Sequence, residues 1–188
     1  MPELPKRKRL LSSAYKLFTT KGINKTTIQD IVDAAKVAKG TFYLYFEDKY
    51  KIQEELVIEK SKEIFNESIK ELNNHKINKF DDQVIFIVDY IIDYLDKNPE
   101  MLNFISKDLS MGLYQDKLSN IIGNKETGLY EMFIKGASDN KIDNPNIKLF
   151  MIIEFVSSTI YSIITKRADI TIDEYKPFLH SVIKDMLK

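Results

Sequence analysis

Apolar residues recur at helical spacing along almost the whole chain. Leu10, Ala14, Leu17 and Phe18 share one face and predict a first helix over about 6–20. Gly22 reads as its end, because glycine enters the left-handed cap conformation without a Cβ penalty. Thr26-Thr27-Ile28-Gln29 reads as a capping box, with the Thr26 hydroxyl accepting from the Gln29 amide and the Gln29 side chain reaching back. Ile28, Ile31 and Val32 mark the buried face of a second helix over about 27–35. After a break at Lys36-Val37-Ala38, a third short helix covers about 39–45.

Asp48 can cap a fourth helix, whose stripe of Val57, Ser61, Ile64, Phe65, Ser68 and Leu72 carries it to about 73. Asn73 to Lys79 is polar and reads as a loop. Residues 84–95 predict a helix buried on most sides, and Asn98-Pro99-Glu100 a stop and restart with proline at a first helical position. The restarted helix runs to about 109, the stretch 110–125 carries Gly112 and Gly123 and is ambiguous, and a helix near 126–137 follows. Ser138 to Asn146 is the clearest loop, and Asn144-Pro145 opens a helix to about Lys166. Thr171-Ile172-Asp173-Glu174 is a second capping box, leading into the stripe Tyr175, Phe178, Leu179, Val182, Ile183, Met186 and Leu187. No alternating β pattern, internal repeat or low-complexity tract appears, so the expected fold is all-α with about nine helices.

Composition narrows the chemistry. The 188 residues are 44% hydrophobic and 30% charged, enough to fold around a core. There is no cysteine, which removes disulfides, thiol catalysis and thiolate metal sites, and the two histidines, His75 and His180, lie too far apart in sequence to suggest zinc. No His-centred triad, phosphate-cradling glycine loop or metal cluster is visible, so an enzyme is not expected, nor any cofactor or metal. The longest stretch free of charge, Phe155 to Thr165, is eleven residues, short of the roughly 18 a spanning helix needs, so no membrane association is expected. Lys6-Arg7-Lys8-Arg9 followed by LLSSAYKLF imitates a signal peptide, but Lys16 breaks the apolar run and no cleavage segment follows; the expectation is a mature, cytoplasmic chain. The abundance of Lys over Arg, 25 to 3, says little about chemistry.

The net charge of zero conceals an asymmetry. Residues 1–50 carry ten Lys/Arg and five Asp/Glu, whereas the remainder carries 18 and 23. A basic N-terminal third suits a polyanion, because cations on phosphates release counterions; ordinary charge scatter is the alternative. The second and third helices, set after a helix with a basic start, look like a helix-turn-helix, in which the second of the pair enters the major groove. Lys39, Gly40 and Thr41 begin that helix. Phe42 and Phe46, four apart, can face the core together, leaving the Tyr43 hydroxyl free to donate to a phosphate, with Lys49 at the start of the next helix.

The run TTIQDIVDAAKVAKGTFYLYFEDK resembles the DNA-binding signature of the TetR family of bacterial transcriptional regulators, over about residues 8–55. The rest is similar to that family only in length and helical layout. Two departures stand out: Lys36 occupies a turn position usually held by glycine, and Ala38 one often held by a serine cap. The resemblance implies a helix-turn-helix domain over 1–47 and a regulatory, ligand-binding and dimerisation domain over 48–188. It implies that Thr26, Thr27, Lys36, Tyr43, Tyr45 and Lys49 lie along phosphates. Lys39, Gly40 and Thr41 would approach bases, and Lys6, Arg7, Lys8 and Arg9 would reach the backbone or minor groove. Each has a plainer reading: half-buried tyrosines, a solvated Lys39, a packing role for Gly40, a helix start at Thr27, a solubilising basic tail.

The resemblance further implies a homodimer through the last two helices, about 145–166 and 171–187, with Ile153, Val156, Ile160, Ile164, Phe178, Val182 and Met186 at the interface. The first of these helices is apolar on most sides, which calls for partners in a second copy or for burial inside one subunit. A dimer would read a near-palindromic double-stranded DNA operator with half-sites about 34–36 Å apart or somewhat more. An effector pocket would lie among the helices between 48 and 166, where Phe86, Tyr90, Tyr94, Met101, Phe104, Tyr130, Phe133 and Phe155 are candidates, although such residues also build ordinary cores. Asp89 and Asp93 share a face and would favour a cationic effector or form a solvated edge. The expected protein is a repressor released by a small, largely apolar effector acting through the fourth helix. The rival is a TetR-like interaction protein without DNA binding, favoured only by Lys36 and Ala38.

Overall fold

The computed structural model describes residues 5–105 and 128–188, and these contain α-helices and no strand. Among the described residues there are nine helices: α1 (Lys6–Lys21), α2 (Ile28–Ala35), α3 (Lys39–Tyr43), α4 (Lys49–Asn73), α5 (Phe80–Lys97), α6 (Pro99–Ile105), α7 (Leu129–Asp139), α8 (Pro145–Ile164) and α9 (Ile172–Met186). The ambiguous stretch 110–125, and the end of the helix expected to reach 109, lie outside the described residues. The chain divides into two compact units, Met1–Glu59 and Lys60–Lys188, and the division falls within α4.

The first unit follows from its apolar spacing. Leu10, Ala14 and Phe18 of α1, Ile31 and Val32 of α2 and Phe42 of α3 are buried where these helices pack together, and Leu11, Ala35, Phe46, Ile52, Leu56 and Val57 are buried with them. Gly22 ends α1 at φ 81°, its N–H donating to the Phe18 carbonyl at 3.1 Å. The first capping box forms one residue later than the sequence suggested. Thr27 is the cap, its hydroxyl accepting from the Asp30 N–H at 3.1 Å while the Asp30 carboxylate accepts from the Thr27 N–H at 2.7 Å. Thr26 is fully buried, with its hydroxyl donating to the Gly22 carbonyl at 2.8 Å. Choosing Asp30 over Gln29 also places a full negative charge at the positive end of α2.

In the second unit, α5 packs against α6, α7, α8 and α9, and α8 against α7 and α9. α5 starts at Phe80, four residues before its expected start, because Phe80 is buried and Asp81 and Asp82 suit a first turn. α8 is the one described helix long and apolar enough to cross a membrane. It carries two apolar faces. Leu149, Ile152, Ile153, Val156, Ile160 and Ile163 are buried, whereas Ile147, Phe150, Met151 and Phe155 are exposed. The Thr171–Glu174 capping box forms as expected at the start of α9. Asp93 is exposed, as a solvated edge would be, and Asp89 is half-buried; neither lines the cavity, and both pair with side chains of α9. The Asp89 carboxylate accepts from His180 Nε2 at 2.9 Å, Lys176 lies 2.5 Å from Asp93, and one turn beyond His180, Lys184 lies 2.9 Å from Asp82.

Gly136, inside α7, illustrates how tightly this unit is packed. A Cβ there would lie 2.3 Å from two atoms of the Phe80 ring. Phe80 is buried against Phe133, ring centroids 5.4 Å apart, and has little room to turn. Alanine ordinarily favours a helix interior over glycine by about 1 kcal/mol. Here overpacking costs about 1–3 kcal/mol, so Gly136→Ala is expected to lower the unfolding midpoint rather than raise it, as denaturant titration would read.

Candidate nucleic-acid interface

The turn between α2 and α3 is built on Lys36 in the left-handed conformation, φ 53° and ψ 51°. Its N–H donates to the Val32 and Asp33 carbonyls, and the Val37 N–H donates to Val32 at 3.0 Å. Lys36 thus occupies a glycine-type position, at a strain of roughly 1 kcal/mol, and its side chain is exposed. Ala38 caps α3 with backbone alone, the Thr41 N–H donating to its carbonyl at 2.8 Å. Phe42 and Phe46 are buried with ring centroids 5.7 Å apart and anchor α3 on the unit's core. Lys39 and Gly40 are exposed, Thr41 is half-buried, and Tyr43 and Tyr45 are 54% and 44% exposed. A Cβ on Gly40 would meet nothing within 4 Å, so packing within the subunit does not require glycine there.

The other basic residues are placed differently. Lys6 and Lys8 are exposed at the start of α1, which has no acidic residue in its first turn. Arg7 is paired with Glu55, and its guanidinium lies over the Phe46 ring, 5.5 Å from the centroid. Arg9 is half-buried. Thr26, expected along a phosphate, is fully buried and cannot reach one; its buried hydroxyl instead ties the loop to α1. Lys49 is turned inward: its ammonium donates to the carbonyls of Ile23 at 2.8 Å, Thr26 at 2.9 Å and Asn24 at 3.4 Å. It therefore closes the α1–α2 loop, sharing the Ile23 carbonyl with the Thr26 N–H, which donates to it at 3.2 Å. Asp48 caps α4, accepting from the Tyr50 and Lys51 N–H groups at 2.8 Å. Thr27 is exposed beside Asp30, whose carboxyl is held below the usual carboxylate range by Lys21, 2.9 Å away, and then by Thr27. A depressed carboxyl of this kind contributes stability above its unfolded pKa, and that contribution is lost as pH falls.

The second unit contains a partly open cavity of about 40 Å³. Phe65 of α4, Val84, Ile87, Val88 and Ile91 of α5, Leu129, Met132 and Phe133 of α7, and Leu149, Ile152, Ile153 and Val156 of α8 line it. Every lining residue is apolar, so it offers water no hydrogen-bond partner. Of the pocket candidates only Phe133 lines it. Phe155 lies on the exposed face of α8, Met101 is buried elsewhere, and Phe86, Tyr90, Tyr94, Phe104 and Tyr130 are half-buried outside the wall. The interface candidates divide as well. Ile153, Val156 and Ile160 are buried within the subunit, two of them lining the cavity; Ile164, Val182 and Met186 are half-buried; Phe178 is 73% exposed. The cavity wall is mostly aliphatic, with Phe65 and Phe133 its two aromatic members.

Two helices joined by a left-handed turn, the second carrying exposed polar residues behind a buried phenylalanine pair, define a helix-turn-helix domain. Residues 10–56 match the family model of the bacterial regulatory proteins of the tetR family. Over 53 residues the chain is 40% identical to the probable acrEF/envCD operon repressor of Escherichia coli strain K12, an alignment covering 28% of this chain and 24% of that protein. The chain spans about a quarter or less of the length of the curated relatives it matches at 40% identity or more. Its fold is similar to that of the fatty acid degradation regulator FadR from Bacillus halodurans, with TM-score 0.65, 16% identity and coverage of 97% and 96% of the two chains. It is also similar to that of FadR from Bacillus subtilis, solved in complex with stearoyl-CoA, with TM-score 0.61, 15% identity and coverage of 97% and 98%.

Proposed function

We propose that this chain is a cytoplasmic, ligand-responsive transcriptional repressor that binds a palindromic operator as a homodimer and is released by a small, largely apolar effector. The observation that carries the reading is the α2–α3 pair, with Lys36, Lys39, Gly40, Tyr43 and Tyr45 exposed around a turn whose other side is fully packed. Gly40 has no packing duty, which suits close approach of a groove wall. The similarity to an operon repressor over this domain supports repression.

A dimer is supported by large apolar side chains exposed on this chain: Ile147, Met151 and Phe155 on α8, and Phe178 on α9. These replace the buried Ile153, Val156 and Ile160 as contact residues. The all-apolar cavity supports an effector with a hydrocarbon portion, and the stearoyl-CoA complex of the similarly folded Bacillus subtilis regulator supports acyl chains as the first class to try. An effector that opens the cavity would press on Phe65 and so on α4, which carries residues of both units. It releases DNA only to the extent that it prefers the non-binding state.

The test is a salt titration of binding to duplexes flanking the chain's own gene, against scrambled DNA, with and without acyl-CoA thioesters. The expected result is selective binding that weakens steeply with salt and is reversed by at least one apolar compound. Equal, weak binding to both DNAs in all conditions would overturn the reading.

A further inference from the structure

We propose that Leu44 is a base-reading residue and that it selects thymine through the C5-methyl group. The inference rests on the DNA-binding reading above. Leu44 is 80% exposed, the most exposed large apolar side chain among the described residues. It directly follows α3 with helical backbone, φ −71° and ψ −21°. The helical path continues beyond it, since the Tyr45 and Phe46 N–H groups both donate to the Phe42 carbonyl, at 3.0 and 2.9 Å. At about 100° per residue, Leu44 therefore lies about 200° around the helix from Phe42. With Phe42 and Phe46 both buried, it projects away from the core.

Its surroundings leave it alone on that line. Gly40, one turn earlier, is exposed, has no side chain, and faces open space. The surface there is bare backbone followed by one isobutyl group, flanked by the exposed rings of Tyr43 and Tyr45. Hydroxyls of that kind suit phosphates; an isobutyl group does not. It cannot donate or accept a hydrogen bond, so against the polar edges of guanine, adenine or cytosine it would only strip water from them. The thymine methyl is the apolar feature of the major-groove edge and loses water favourably on meeting such a side chain.

The experiment uses the full chain. Duplexes are selected from a random pool, and the selected sequence is then made with dT and with every dT replaced by dU, which removes the methyl and keeps the pairing. Native protein and Leu44→Ala are titrated on both. Native protein is expected to bind the dU duplex about fourfold more weakly per contacted methyl, and about fifteenfold where both half-sites are read. Leu44→Ala, a change at an exposed position, is expected to bring the dT-to-dU ratio close to one while leaving low-salt binding to random DNA unaltered. Equal binding of both duplexes by native protein, or an undiminished ratio in Leu44→Ala, overturns the assignment. Failure to bind any duplex at low salt overturns the DNA-binding reading as well.

Discussion

Lys49→Met is expected to destabilise the helix-turn-helix unit by about 2–3 kcal/mol while leaving the salt dependence of DNA binding unchanged. The native ammonium donates to three main-chain carbonyls, those of Ile23, Asn24 and Thr26, in the loop that connects α1 to α2. Methionine keeps the apolar stem and removes the donors, so these carbonyls lose charge-assisted bonds that are stronger than neutral ones. The loss should appear as earlier denaturant unfolding and faster amide exchange in the Gly22–Thr27 loop. The phosphate role that the family resemblance implies for this lysine makes the opposite prediction. A lysine on the DNA backbone would leave stability unchanged, and its removal would reduce the salt slope by about one. Unchanged stability with a smaller slope would therefore overturn the loop-closing assignment.

The two readings of Lys49 show what kind of information a sequence carries here. Helix existence and order follow from spacing, and α1, α2, α3, α5, α8 and α9 form where apolar residues repeat every three or four positions. A cation's partner does not follow from spacing, since an ammonium suits a phosphate and a carbonyl equally. The first capping box was legible as a motif and misplaced by one residue, because Thr26 and Thr27 are both threonines and only burial separates them. α8 poses the same difficulty at larger scale. Leu149, Ile152, Ile153 and Val156 form one helical stripe, and Ile147, Phe150, Met151 and Phe155 another. Nothing in the pattern says which stripe faces inward. The choice is made by α5, α7 and α9 packing against the first, and that choice moves Ile153 and Val156 from the expected interface to the cavity wall. Leu44 is apolar and yet 80% exposed, which its position between two tyrosines in the sequence does not reveal.

The second large effect is expected from Phe133→Ala in the second unit. Phe133 is almost fully buried on α7, packs its ring against Phe80 and forms part of the cavity wall. Truncating a core phenylalanine removes its transfer free energy and leaves a void, together costing about 3–5 kcal/mol. The Phe80 ring is also packed closely on Gly136, one turn further along α7, and cannot simply swing in to fill the space, so the new void should join the existing one. The enlarged chamber keeps apolar walls and should stay dry, which is the condition under which such spaces take up hydrocarbons. A ligand that enters the folded state alone restores about 2.7 kcal/mol at a hundred times its dissociation constant. Toluene should therefore raise the unfolding temperature of Phe133→Ala substantially and that of the native chain little, because the native cavity of about 40 Å³ is too small for it without movement of the wall. An equal rise in both proteins would mean that the native wall already opens to apolar guests. No rise in the variant would mean that the helices collapse around the missing ring, and that α7 is free to move toward α5 in a way the tight Phe80–Gly136 contact argues against.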